Sequence, residues 1–180
     1  MYKKIIDKYY GGCDALRHIL LTHSTSVAQR ALRIADMHPE LNIDKAFVEQ
    51  AAMLHDIGIV QVNAPAIECF GTQPYICHGI CGAEMLRREG LPESYARVCE
   101  RHTGAGLTLH DIVQQNLPLP HHDLTPQTIE EKLICYADKF YSKTHLDKEK
   151  TIEQAERSLA KFGGDTLARF QALRDIFDEG

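Results

Sequence analysis

Residues 51–58 read AAMLHDIG: an apolar run followed at once by an imidazole and a carboxylate. Imidazole nitrogen suits zinc, iron, cobalt, nickel and copper, and a carboxylate adds hard oxygen and negative charge, so His55 and Asp56 point to a catalytic divalent ion. Gly58 fits a helix C-cap just beyond the pair. A His-Asp dipeptide alone also suits a plain helix end with a solvated imidazole beside it, so the surrounding chain decides between the two.

Working outward, Asn42 or Asp44 can cap a helix whose Phe47, Ala51, Met53 and Leu54 lead into the pair. Upstream, a short helix from Tyr2 to Tyr10 ends at Gly11 and Gly12. A long one follows, carrying Leu16, Ile19, Leu20, Val27, Ala31, Ile34 and Ala35 on its apolar stripe and stopping near His38-Pro39. Downstream, residues 59–75 form an irregular connection with Pro65, Gly71 and Pro74, long enough to be expected to act as a lid or substrate loop. Helices are expected from Ile76 to Arg88, from Pro92 to His102, and briefly from His110 to Gln115. Thr125-Pro126 reads as N-cap and N1 of a helix reaching Tyr141. Two amphipathic helices, 151–161 and 165–178, close the chain. Nothing alternates with the two-residue period of a half-buried strand. The expected fold is all-α, a helical bundle forming one domain over residues 1–180.

Composition narrows the function. Hydrophobic residues make up 44% of the chain and charged residues 25%, ordinary for a soluble protein. A formal charge of -5 gives no general attraction to phosphate backbones, which argues against long nucleic acid and leaves small nucleotides open. No apolar run has membrane-spanning length, and MYKKIIDKYYGG at residues 1–12 lacks the apolar core of a signal peptide, so a cytoplasmic protein without membrane contact is expected. Oligomeric state leaves no mark in the sequence. Cys13, Cys77, Cys99 and Cys135 sit in helical patterns and are expected as reduced packing residues. Cys77 and Cys81 lack the second cysteine pair of a zinc ribbon.

Ligand-type residues recur near the middle or end of five successive helices: His23, His55 with Asp56, His78, His102 and Asp138. Dispersed ligands of this kind form a shell only once a bundle has folded. Asp138 lies in the apolar run Leu133, Ile134, Cys135, Tyr136, Ala137, and aspartate is seldom buried unless paired or metal-bound. Any one of these residues alone would suit a satisfied core histidine or a helix-end carboxylate. Six of them in order ask for a common cause.

In this set the chain resembles the HD-domain phosphohydrolase superfamily, and more narrowly its HDIG-type members. From roughly Leu20 to Tyr141, the segments LLTHSTSVAQRALRIA, AAMLHDIG, CHGICGAEMLRREG, ERHTGAGLT and LICYADKF are similar to the family's successive helices. The resemblance implies an HD core at about 20–141, followed by the C-terminal helices at 151–178. It implies a first metal held by His23, His55, Asp56 and Asp138. His78 and His102 match the binuclear H-HD-H-H-D branch, in which the Asp of the HD pair bridges both ions. One or two divalent transition-metal ions are therefore implied, iron first, with manganese, nickel, cobalt or zinc compatible.

Cyclic-dinucleotide phosphodiesterases of the superfamily carry a Gly-Tyr-Pro signature and an extra adjacent histidine, whereas His78 and His102 stand alone here. The alarmone hydrolases carry an acidic pair soon after the HD, where this chain reads IVQVNA at 59–64. The pattern is closest to symmetrical dinucleoside-polyphosphate hydrolases and to HDIG proteins of unassigned substrate, and ERHTGAGLT favours the latter. The expected function is hydrolysis of a small phosphoester or phosphoanhydride, a nucleotide or dinucleoside polyphosphate; the alternative is a non-catalytic metal- and nucleotide-binding signalling module. Asp56 is the expected catalytic centre. Arg101 beside His102 and Lys139 beside Asp138 are the expected cationic contacts, with Lys143 one helical turn beyond Lys139. His110, His121 and His122 are candidates for a general acid or for surface positions, and the 59–75 loop is expected to frame the pocket. Gly104 and Gly106 suit either a helix end or a close backbone approach to substrate.

Overall fold

Residues 1–177 are described by a computed structural model, and the helical periods of the sequence become α1 (Tyr2–Tyr10), α2 (Asp14–Met37), α3 (Lys45–Leu54), α4 (His78–Arg88), α5 (Glu93–Arg101), α6 (Leu109–Gln114), α7 (Ile129–Asp138), α8 (Ile152–Ala160) and α9 (Gly164–Ile176). The expected end of the last helix at 178 lies outside the described residues. The fold is all-α, and among the described residues no helix is long and apolar enough to cross a membrane.

Side-chain caps set several starts. Asp44 accepts from the Phe47 amide at the head of α3, and reciprocal capping boxes, Thr108 with Asp111 and Thr151 with Gln154, open α6 and α8. The expected start of α7 at Thr125-Pro126 is displaced. Leu124 pairs with Leu107 as an isolated bridge and holds the chain extended, so Thr128 becomes the cap, accepting from the Glu131 amide at 3.2 Å. The Glu131 carboxylate in turn accepts from the Gln127 amide at 2.7 Å. The helix ends at Asp138 instead of Tyr141, because Phe140 is fully buried and its carbonyl accepts from the Lys150 amide.

Two large apolar clusters organise the bundle. One joins α2, α3, α7, α8 and α9 through Val27, Ile34, Val48, Leu133, Leu159 and Phe170; the other joins α1, the start of α2, α4 and α5 through Ile6, Tyr10, Leu20, Leu86 and Cys99. The chain crosses from the first to the second between Met53 and Leu54, one residue before His55, and His23 lies on α2 between Leu20 of one cluster and Val27 of the other. The histidine-aspartate pair is thus set on the seam between two cores. Leu54 and Ile57, both with no exposed surface, anchor it, each contributing roughly 1.5–3 kcal/mol by burial.

Gly58 does not cap α3. A Cβ there would stand 2.1 Å from the His78 carbonyl oxygen and 2.3 Å from the Gly82 nitrogen, so the glycine permits backbone contact with α4. Gly79 does the same against the Cys99 carbonyl of α5, 2.4 Å from its Cβ position.

The 59–75 connection is irregular, as expected. It holds short 3-10 turns and a small antiparallel hairpin that the sequence did not suggest, β1 (Asn63–Ala64) with β2 (Cys69–Phe70). Ile59, Val62, Ile67 and Cys69 tie the segment to the second apolar cluster, while residues 63, 65, 66, 68, 70 and 72–75 stay exposed. All six cysteines are free. Five are buried, and Cys13 is exposed, contrary to the packing role expected of it.

Candidate metal centre

The six ligand-type residues meet. His23 comes from the middle of α2, His55 and Asp56 follow α3, His78 starts α4, His102 follows α5 and Asp138 ends α7; each side chain is buried. Ligand atoms of His23, His55, Asp56 and Asp138 lie within 4.8 Å of one another, and so do those of Asp56, His78 and His102. The two Asp56 oxygens divide between the groups. Oδ2 lies 3.1 Å from His23 Nε2 and 3.1 Å from His55 Nε2, while Oδ1 lies 3.4 Å from both His78 Nε2 and His102 Nε2. Asp138 Oδ1 completes the first group at 2.9 Å from His23 and 3.4 Å from His55.

Hydrogen bonding fixes which nitrogens are free. His55 Nδ1 donates to the Ala52 carbonyl at 2.6 Å, His78 Nδ1 to Tyr75 at 2.7 Å and His102 Nδ1 to Cys99 at 2.8 Å, in each case three residues back. A carbonyl only accepts, so in the neutral rings Nε2 carries the lone pair. His78 Nε2 and His102 Nε2 then face each other at 3.0 Å with nothing to share between them. His55 Nε2 and both Asp56 oxygens are buried without a hydrogen-bond partner of good geometry. Buried lone pairs converging on one point, with their rings oriented by backbone carbonyls, are what a divalent cation requires. The donor set of imidazole nitrogen and carboxylate oxygen fits a divalent transition metal.

The charges agree. Burial pushes His55 down, but Asp56 and Asp138 outweigh it and lift its pKa to about 9. Burial drives His78 down to about 3 against the pull of Asp56, with His102 and Lys143 adding to the fall, and His102 is likewise lowered by burial. The Asp56 carboxyl, opposed by burial, is held well below its ordinary range by His55 and Lys143, and Asp138 by Lys139 and the two histidines of its group. The lifted His55 is a proton held where a dication would sit, so metal uptake releases it.

Lys139 lies where the sequence suggested, 2.6 Å from Asp138 Oδ2, and donates to the His102 carbonyl at 2.9 Å. Arg101 does not face the centre. Neighbours on a helix point about 100° apart; Arg101 lines neither cavity at the centre and pairs instead with Glu131 Oε2 at 2.9 Å. Lys143 takes the place expected of it: the turn after α7 folds back until its Nζ is 2.6 Å from Asp56 Oδ2. Sequence spacing had placed it one turn further along a helix that in fact ends at Asp138. Tyr75 stacks on the His78 ring, centroids 4.8 Å apart, and is the residue of the 59–75 segment that lines the cavity. His110, His121 and His122 are exposed and line neither cavity at the centre. Gly104 lies at the cavity; Gly106 packs against Thr125 and Pro126.

The pattern of the HD domain matches residues 20–142. The chain is 37% identical over 124 residues to a tRNA (cytidine(56)-2'-O)-methyltransferase of Picrophilus torridus, a match covering 69% of this chain and 32% of that protein. It thus spans about a third of the length of that relative. It is 31% identical over 145 residues to an uncharacterized protein of Methanocaldococcus jannaschii, covering 79% of this chain and 78% of the other. Among solved structures, the HD domain of the L. monocytogenes phosphodiesterase PgpH is similar with a TM-score of 0.58 at 17% identity, over 96% of this chain and 94% of that one; the same domain has also been solved in complex with cyclic-di-AMP. At that identity the likeness is one of fold.

Proposed function

The chain belongs to the HD-domain family, and on that premise we propose that it is a metal-dependent phosphohydrolase acting on a small phosphoester or phosphoanhydride, a nucleotide or dinucleoside polyphosphate. The observation that carries the reading is the confrontation of His78 Nε2 and His102 Nε2 at 3.0 Å across from Asp56, beside a second group that shares the same carboxylate. His23, His55, Asp56 and Asp138 would hold one ion; Asp56, His78 and His102 would hold another, with Asp56 bridging. Iron, manganese, nickel, cobalt or zinc all suit these donors.

The chemistry that bound divalent ions supply is Lewis acidity, for a water that ionises near neutral pH and for the phosphoryl and leaving oxygens. The chain supplies the rest. Lys143 brings an ammonium to the cavity side of Asp56, within reach of a phosphoryl oxygen. Lys139 ties Asp138 to the His102 carbonyl and so positions one residue of each group. Tyr75, stacked on His78, shields that ring from water.

Metal analysis of the purified protein combined with a substrate panel tests the proposal. The panel holds nucleotides, dinucleoside polyphosphates, sugar phosphates, a cyclic dinucleotide, and a tRNA because one relative is named for tRNA. Up to two ions per chain are expected, with turnover abolished by a chelator. A metal-loaded preparation inert across the panel favours the binding-module alternative, and chelator-resistant turnover refutes the mechanism.

A further inference from the structure

The cavity at the metal centre does not stop there. A space of about 160 Å³ over His78, His102, Asp138, Lys139 and Lys143 shares Tyr75, Gly104, Asp138, Lys139 and Lys143 with a larger one of about 320 Å³. The far wall of the larger space comes from Thr144, Lys150, Ser158 and Phe162, which lie beyond the stretch that matches the HD domain.

The wall is cationic and incompletely paired. Lys139 is matched by Asp138 and Lys143 by Asp56. Lys150, half-buried, has no ion pair and no side-chain hydrogen bond among the described residues. Its pKa is lowered by burial, and Lys139, Lys143 and Lys161 add to that against the attraction of Asp138. Its backbone is held in place. The Lys150 amide donates to the Phe140 carbonyl at 2.8 Å, Glu149 bridges Tyr141 and pairs with Arg30, and the Thr151 capping box follows directly. An ammonium carried on a held backbone, partly dehydrated and without an ion pair, next to the proposed phosphate site, is a site for another anion. Phe162, at 66% exposed, stands on the rim and offers an apolar surface beyond it.

We infer that Lys150 and the α8 wall form a second phosphate subsite, so that the ligand with its terminal phosphate at the metal centre places its inner phosphate at Lys150 and its nucleoside toward Phe162. The preferred ligand is then a nucleoside diphosphate or longer, above a monophosphate. The inference rests on the proposed function only in placing the terminal phosphate at the metals.

Calorimetric titration of the metal-loaded chain with AMP and with ADP tests it directly. The wild type should bind ADP roughly tenfold more tightly than AMP, the scale of one partly screened charge-assisted contact. K150A should lose about tenfold for ADP and less than about twofold for AMP, and K150R should restore most of the loss. K4A removes the same charge from exposed α1 and should change neither. Equal affinity for AMP and ADP in the wild type overturns the inference, as does an ADP loss shared by K4A or absent from K150A. The two readings fail separately: a Lys150-dependent preference for ADP without turnover on the panel keeps the subsite and sinks the hydrolase, and turnover without that preference does the reverse.

Discussion

Around Asp56 Oδ2 stand His23, His55 and Lys143, with a second carboxylate, Asp138, in the same group; around Asp56 Oδ1, among the described residues, stand His78 and His102. Both groups use buried imidazoles, and His55 and His78 are oriented by the same kind of backbone tether. They nevertheless respond to burial in opposite ways, His55 rising to about 9 and His78 falling to about 3. At His55, Asp56 and Asp138 together outweigh desolvation, whereas at His78 Asp56 stands alone against burial, His102 and Lys143. The His23 group carries two carboxylates and the His78 group only the shared one, so the His23 group should fill first and hold its ion more tightly.

The most severe way to break this comparison is to remove what the groups share. Asp56→Ala should eliminate both ions and lower turnover at least about 10³-fold, measured by metal content and steady-state kinetics. Retention of one full-occupancy ion would show that the groups are independent.

Gly58→Ala attacks the distance between them. A methyl 2.1 Å from the His78 carbonyl forces the HD turn and α4 apart, and about 3 kcal/mol of stability should be lost in chemical denaturation. A wild-type midpoint would mean the close approach is dispensable. Replacing one imidazole of the weaker group has a smaller expected effect. His78→Ala or His102→Ala should leave one ion per chain and reduce turnover about 10- to 100-fold, while Asp138→Ala should weaken metal retention more than either. The reverse ranking would overturn the carboxylate argument.

The smallest effect is on the metal-free protein. His55 has its folded pKa raised from 6.5 to about 9, so its contribution to stability is complete below 6.5 and lost as pH climbs toward 9. His78 is kept neutral down to about 3, so stability falls as pH drops below 6.5 and the unfolded chain takes up the proton. Chelated protein should thus melt highest near pH 6.5, with Tm lower by a few degrees on either side. A flat profile from pH 5 to 9 would show that the groups do not differ electrostatically.

The six residues that meet at the centre were legible because each carries its chemistry in its residue type and sits at a helical period, as His23 does four residues before Val27. Partners across the bundle were not. Arg101 adjoins His102 in the chain and still faces Glu131, because adjacency on a helix is angular separation. Lys143 was noticed through its spacing from Lys139, yet it reaches Asp56 through a turn that forms only after α7 stops early. Gly58 read as a cap because glycine commonly follows a helix, and the carbonyl that demands its missing Cβ lies twenty residues away. Lys150 gave no signal at all, since its place on the cavity wall without an ion pair exists only in three dimensions.

The tethers from His55, His78 and His102 to carbonyls three residues back carry a cost-saving consequence for metal uptake. Ala52 and Cys99 lie in the last turns of α3 and α5, where carbonyls lack partners within the helix. The imidazoles of His55 and His102 cap the C-terminal turns of the helices that precede them, and that of His78 is tied to the turn that leads into α4, so each rotamer is chosen when the chain folds. An arriving ion therefore meets rings already ordered, and the entropy of immobilising them falls on folding instead of on binding.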